Sequence, residues 1–122
     1  MLIIDANAVL RYLLHDNIDM AKTVEELLVK NEVTLRYEVA AEIVYVLEKV
    51  YSLPRDKIRD GIKAFIEEPN VKTETVNVLL LALDTYADKK LDFVDCLLYG
   101  FNAKYGYDVF TFDKKLNVLM GK

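Results

Sequence analysis

Four acidic residues occupy positions from which they could bind a divalent cation. Asp5 directly follows the apolar run LII, and Asp113 follows VFTF, so each stands at the end of an expected strand. Asp95 lies inside the otherwise apolar segment LDFVDCLLYG (91–100), and Glu42 lies within an expected helix. Carboxylate oxygens are the ligands that Mg²⁺ and Mn²⁺ prefer. If the four side chains meet, a cation must accompany them, because two carboxylates ~4 Å apart repel by about 4 kcal/mol at an effective dielectric constant of ~20.

Helix capping is the competing explanation for the aspartates. Aspartate is a preferred N-cap residue, and its bond to a free N–H group of the first turn contributes ~1 kcal/mol. Asp5 and Asp113 each precede an expected helix and Asp92 begins one. Asp92 with Asp95 three residues later resembles a capping box. Taken one at a time, these positions favour capping. For Asp92, capping stays the preferred interpretation and metal binding the second.

Glu42 and Asp95 are harder to explain as caps. Glu42 lies at helical spacing from an apolar stripe formed by Val39, Ile43, Val46, Leu47 and Val50. Asp95 lies in a segment with little polar face, which is typical of a helix buried nearly all round. Burying a lone carboxylate costs several kcal/mol, and no Lys or Arg lies within one helical turn of either acid. We therefore expect both to be buried, and either to pair with distant bases or to share a metal ion.

Apolar spacing predicts that strands and helices alternate along the chain. Strands are expected at 2–5, 33–37, 71–74 and 108–112. Helices are expected at 6–14, 19–30, 39–50, 54–67, 75–88, 92–105 and 114–120. This order predicts a single α/β domain over residues 1–122, with a parallel sheet of about four or five short strands and helices on both faces. Ligands of such sheets bind beyond the carboxyl ends of the strands, where Asp5 and Asp113 stand.

Composition narrows the class of protein. The chain has 122 residues, 53% hydrophobic and 30% charged, as expected for one globular domain. Its apolar runs are far shorter than the ~20 residues that cross a bilayer, and we expect a cytoplasmic protein with no membrane contact. The single cysteine, Cys96, excludes an internal disulfide. The net charge of −4 argues weakly against nucleic-acid binding, but two bound divalent ions would bring it to zero.

Four sequence blocks resemble the PIN-domain ribonucleases, and specifically the small VapC-type toxins of toxin–antitoxin pairs. These blocks are IIDANAVLRYLL, AAEIVYVL, LDFVDCLLYGFNAKYG and VFTFDKKL, and they appear in the order of the family. The resemblance implies that the catalytic metal ligands are Asp5, Glu42, Asp95 and Asp113. Asp92 stands at a position where the family is variable and is an additional candidate. It also implies cleavage of single-stranded or loop RNA with Mg²⁺ or Mn²⁺, a homodimer, and inhibition by a cognate antitoxin protein.

Other polar residues near these acids are candidates for supporting roles. Basic side chains could contact the phosphates of a substrate, and the candidates are Arg11, Lys114 and Lys115, followed by Lys89 and Lys90. Asn7, two residues after the first acid, and Thr111, two before the last, are candidates for hydrogen bonds to the metal ligands.

Two alternatives to the nuclease hypothesis stay open. A non-catalytic domain of the same fold would bind RNA or protein only, and it would be expected to lack at least one of the four acids, whereas none is missing here. A Mg²⁺-dependent phosphotransferase of the receiver or haloacid-dehalogenase type would also place aspartates at strand ends. The sequence disfavours it, because Asn7 stands where a second aspartate is expected and only Asp5 ends the first strand.

Overall fold

Seven helices carry most of the chain, which is described over residues 1–122 by a computed structural model. In chain order the elements are α1 (Ala6–Leu14), α2 (Ile18–Lys30), β1 (Val33–Thr34), α3 (Tyr37–Lys49), α4 (Arg55–Ile66), β2 (Val71–Lys72), α5 (Val76–Asp88), α6 (Phe93–Tyr105) and α7 (Lys114–Leu119). Each helix lies within two residues of its predicted bounds. None of them is both long enough and apolar enough to cross a membrane.

Local sequence explains where the helices begin and end. The Oδ1 atom of Asp5 accepts a hydrogen bond from the N–H of Ala8 at 2.9 Å and so caps α1. Pro54 precedes the first residue of α4. Gly106 closes α6 with a φ of 69°, a left-handed conformation that glycine adopts without steric cost.

The strands are fewer and shorter than predicted. β1 and β2 form a two-stranded parallel sheet, in which Val33 pairs with Val71 and Thr34 with Lys72. The predicted first strand, 2–5, contributes only a single parallel bridge between Ile3 and Thr34. The prediction of four or five strands is therefore wrong. Part of the reason is that α3 begins at Tyr37, the last residue that had been assigned to the second strand.

Residues 108–112 form no strand, so the prediction of a final strand there is also wrong. Two of their carbonyl groups accept hydrogen bonds from side chains and not from a neighbouring strand. Lys122 Nζ donates to the oxygen of Val109 at 2.8 Å, and Asn117 Nδ2 donates to that of Thr111 at 3.0 Å. Phe110 and Phe112, which alternate with these residues, are 86% and 89% exposed.

The chain divides into two compact units, Met1–Glu74 and Thr75–Lys122. In the first unit, α1 packs on α2 and α3, and α3 packs on α4. Apolar side chains of these elements form its core, and the fully buried ones include Val9, Val33, Leu35, Ile43, Ile58, Ile62 and Phe65.

The second unit is built on the pairing of α5 with α6, against which α7 also packs. Gly100 lies so close to α5 that an added Cβ atom would come within 3.0 Å of Val78 Cγ1. Tyr86 and Phe93 pack edge to face, with ring centroids 5.9 Å apart. This core holds the start of α6 in place, where two of the candidate acids lie.

Candidate functional site

Three carboxylates of the second unit line one pocket. This pocket, which we call the acid pocket, has a volume of about 320 Å³, and its acidic residues are Asp92, Asp95 and Asp113. Asp92 is the N-cap residue of α6, Asp95 lies in the first turn of that helix, and Asp113 is the N-cap residue of α7. The start of one helix and the start of another therefore bring these side chains to one place.

Asp95 lies among like charges in this pocket, although Lys90, Lys114 and Lys115 also line it. Burial raises the pKa of the Asp95 carboxyl, and the neighbouring charges of Asp113 and Asp92 raise it further. Both neighbours thus repel the ionised form of Asp95, and a cation in the pocket would relieve that repulsion.

Hydrogen bonding separates the two N-cap aspartates. The Oδ1 atom of Asp113 accepts from the N–H of Leu116 at 2.8 Å, so this residue caps α7. Asp92 stands at the N-cap position of α6 but makes no such bond to the first turn, so the prediction of a capping hydrogen bond is wrong. Thr111 supports Asp113 in another way, because its Oγ1 accepts a hydrogen bond from the backbone N–H of that aspartate at 3.0 Å.

A separate cleft of about 300 Å³ surrounds Asp5 in the first unit. Its polar lining includes Asn7 and Arg11 from α1, together with Asp19 from α2. The sequence prediction missed Asp19, because an acid in the first turn of a helix is ordinarily explained by the helix dipole. The guanidinium of Arg11 pairs with Asp16 at 2.5 Å and donates to the hydroxyl of Tyr51 at 3.3 Å. Those bonds compete with a role for Arg11 in phosphate contact.

Glu42 is exposed, which contradicts the prediction that it lies on a buried stripe. The buried face of α3 is formed by Ala40, Ile43, Val44 and Leu47. The prediction took Val39 and Val46 as members of that face, but both are only half-buried. Glu42 does not line the cleft around Asp5.

The helix that carries Asp95 is also less buried than predicted. Val94 is 55% exposed, and Leu98, one turn further on, is exposed along the same side of α6. The expectation of a helix buried nearly all round is therefore wrong. Asp95 itself is half-buried, between this open side and the core residue Cys96.

The donor chemistry of the candidate residues suits a hard cation. All of them present carboxylate oxygens, as Mg²⁺ and Mn²⁺ sites do. Within neither unit do three or more acidic, histidine or cysteine side chains form a group that could hold a metal ion. Asp92, Asp95 and Asp113 therefore fit a divalent cation in the chemistry of their donor atoms.

Comparison with known proteins gives one match. The family model described as PIN domain matches residues 2–121. No curated protein and no solved structure matches the chain. PIN domains are generally nucleases, and the match covers nearly the whole sequence, including every candidate acid. The chain therefore belongs to the PIN-domain family.

Proposed function

We propose that this protein is a metal-dependent endoribonuclease that uses Asp5, Glu42, Asp95 and Asp113 to hold Mg²⁺ or Mn²⁺. The observation that supports it most directly is the pocket shared by Asp92, Asp95 and Asp113. Aspartates that repel one another at the surface of a PIN-domain protein are best explained by a cation that binds between them. Asp92 stays an additional candidate ligand, because it lines the pocket and its side chain accepts no capping hydrogen bond.

The proposed reaction is hydrolysis of a phosphodiester bond. A water molecule forms a new bond to phosphorus, the bond from phosphorus to the 3′ oxygen breaks, and that oxygen takes up a proton. The products carry a 5′-phosphate and a 3′-hydroxyl. When bound, the metal ion would activate the attacking water and neutralise charge on the departing oxygen. The carboxylates of this chain would hold and orient the ion. Thr111 Oγ1 accepts the backbone N–H of Asp113, and Asn7, which lines the cleft with Asp5, stays a candidate for a similar supporting role.

Basic side chains beside the acids would bind the substrate. Lys90, Lys114 and Lys115 line the same pocket as the three aspartates. Ammonium groups at that position could neutralise the phosphates on either side of the cleaved bond. Arg11 remains a candidate for the same role beside Asp5, although it would have to leave its partner Asp16.

We further propose that the protein is the toxin of a type II toxin–antitoxin pair. The resemblance of four sequence blocks to VapC-type toxins supports this role. In this role the protein would be a cytoplasmic homodimer, and a cognate antitoxin would block its cleavage of RNA. A short antitoxin-like reading frame beside the gene would support the assignment.

The proposal is tested by cleavage of a labelled single-stranded RNA with Mn²⁺, with Mg²⁺ and with EDTA. We expect cleavage only with metal, and products whose 3′ ends accept enzymatic tailing without phosphatase treatment. Asp95→Asn should abolish cleavage. Asp56→Asn, which changes an exposed aspartate in the first turn of α4, serves as the matched control and should leave cleavage intact.

Two results would contradict the proposal. One is cleavage that persists in EDTA and leaves cyclic phosphate ends, which indicates a metal-independent mechanism. The other is retained cleavage in Asp95→Asn, which would place the reaction elsewhere. Calorimetry with Mn²⁺ adds an independent measurement, since absence of binding at millimolar concentration would exclude a metal-dependent site.

A further inference from the structure

A second pocket of the same unit lies directly beside the acid pocket. It has a volume of about 400 Å³, within the usual ~300–1,000 Å³ of small-molecule sites. It shares four lining residues with the acid pocket, and these are Lys90, Leu91, Lys114 and Lys115. A molecule held by the aspartates would therefore continue into this second space, which we call the lysine pocket.

The lining of the lysine pocket combines positive charge with an apolar floor. Its charged residues are all basic, and they are Lys89, Lys90, Lys114 and Lys115. The remaining residues are aliphatic, and they are Leu91, Val118 and Leu119. Lys89 Nζ lies 3.6 Å from Oδ2 of Asp88. The other three lysines line the acid pocket as well. Together, the two pockets are lined by carboxylates, ammonium groups and aliphatic side chains.

We propose that the lysine pocket holds one unpaired nucleotide of the RNA next to the cleaved bond. Its phosphate would lie against the ammonium groups, and its base would lie on the aliphatic floor. The lysines favour an anionic ligand. The aliphatic side chains of the floor favour a ligand that has an apolar face beside its charge. A base can enter such a pocket only when it is not paired, so the site favours single strands over duplexes. This inference rests on the proposed RNA substrate of the acid pocket.

The charge of the pocket is tested through the salt dependence of binding. The probe is a fluorescein-labelled single-stranded RNA of about ten nucleotides, and its anisotropy is measured in EDTA so that binding does not depend on cleavage. We expect Lys90→Ala combined with Lys115→Ala to weaken binding and to reduce the slope of log K against log salt by about 1.4. Each phosphate contact on a single strand contributes ~0.7 to that slope, and the double variant loses two such contacts. The matched control is Lys22→Ala combined with Lys30→Ala, two exposed lysines of α2.

The floor is tested by one polar substitution. Val118 is 72% exposed, so Val118→Asn should not disturb the core. We expect about tenfold weaker binding of the single strand with an unchanged salt slope, because two methyl groups lose contact with the base. Val29→Asn, at a valine of α2 that is 78% exposed, is the control and should bind as the parent does. A duplex of the same sequence should bind more weakly than the single strand and should be insensitive to Val118→Asn.

Several results would overturn the inference. Equal losses in the two lysine pairs would mean that the protein attracts RNA only through its general charge. Equal affinity for duplex and single strand, or an unchanged affinity in Val118→Asn, would exclude a base on the floor. Displacement of the RNA by polyglutamate at equal charge concentration would assign the pocket to an acidic protein partner. If the binding results are as expected but the protein shows no metal-dependent cleavage, the proposed nuclease activity is refuted and the nucleotide pocket is not.

Discussion

Asp5 combines a structural hydrogen bond with a proposed catalytic role, and two substitutions can separate them. Its Oδ1 atom accepts the N–H of Ala8 at 2.9 Å at the start of α1. Asn keeps an acceptor at this position and is as good an N-cap as Asp, whereas Ala removes the acceptor. Both substitutions remove the negative charge that a divalent cation needs. We therefore expect both variants to lose cleavage, and Asp5→Ala to lose more stability than Asp5→Asn.

The size of the stability effect follows from the cap. Loss of an N-cap side chain costs ~1 kcal/mol of the free energy of unfolding. At about 2.1 cal/mol/K per residue, a chain of 122 residues has an unfolding entropy of about 0.26 kcal/mol/K. Asp5→Ala should therefore lower the midpoint of thermal unfolding by about 4 °C. Asp5→Asn should lower it by less than half of that, the remainder reflecting the lost charge at the N-terminus of the helix.

Thermal unfolding followed by far-UV circular dichroism and cleavage of single-stranded RNA with Mn²⁺ together measure both roles. Asn17→Ala is the matched control, because Asn17 caps α2 through the N–H of Met20 at 3.0 Å and is not a candidate ligand. It should lower the midpoint as Asp5→Ala does but leave cleavage intact. Undiminished cleavage by Asp5→Asn would refute the catalytic role. An equal loss of stability in the Asn and Ala variants would refute the capping role.

Three further predictions concern single residues. Burial and the charges of its neighbours raise the pKa of Asp95, so the folded chain binds the proton of this carboxyl more tightly than the unfolded chain does. The free energy of unfolding therefore falls as the pH rises from 3.8, the ordinary pKa of an aspartate, through the raised pKa of the folded chain. Asp95→Asn should therefore raise the unfolding midpoint at pH 7, and the gain should vanish below pH 3.8; a lower midpoint at pH 7 would contradict this. Glu42→Gln should change the free energy of unfolding by less than about 0.5 kcal/mol, as measured by urea denaturation, since Glu42 is exposed. Loss of Mn²⁺-dependent cleavage in that folded variant would support Glu42 as a ligand, and full activity would remove it from the site. Gly100→Ala should destabilise by about 1–3 kcal/mol in the same assay, because the new methyl group would come within 3.1 Å of the carbonyl oxygen of Val78; an unchanged midpoint would show that α5 and α6 can separate without cost.

The helices could be predicted closely because their boundaries depend on local chemistry. Asp5, Pro54 and Gly106 mark ends that follow from hydrogen bonding or backbone dihedral angles within a few residues. Such signals need no knowledge of which elements pack together. The seven predicted helices accordingly match those of the structure.

The strands could not be predicted in the same way, because a strand exists only where another segment pairs with it. The apolar runs at 2–5 and 108–112 have the composition of strands. In the structure the first makes one bridge at Ile3, and the second bonds to side chains of Lys122 and Asn117. Pairing partners of this kind are distant in sequence, and apolar composition does not identify them.

The acids show the same division between local and distant information. The cap formed by Asp113 was a local possibility, and the structure contains it. For Glu42, the predicted buried stripe of α3 included valines that are only half-buried. Successive side chains of a helix point about 100° apart, so a stripe misplaced by one residue assigns a side chain to the wrong face. For Asp92, the capping pattern was correct in spacing but the bond is absent, and the carboxylate lines the acid pocket instead.

Segment 108–112 has a consequence for the behaviour of the protein in concentrated solution. A segment that pairs with no strand and exposes apolar side chains is ordinarily a template on which a strand of another molecule can grow. Here the carbonyl oxygens of Val109 and Thr111 are already occupied by Lys122 Nζ and Asn117 Nδ2, and an incoming strand would have to displace both donors. Asp108 and Asp113 add negative charge at the two ends of the segment. These four side chains protect the segment against chain-to-chain pairing, and so against the first step of aggregation.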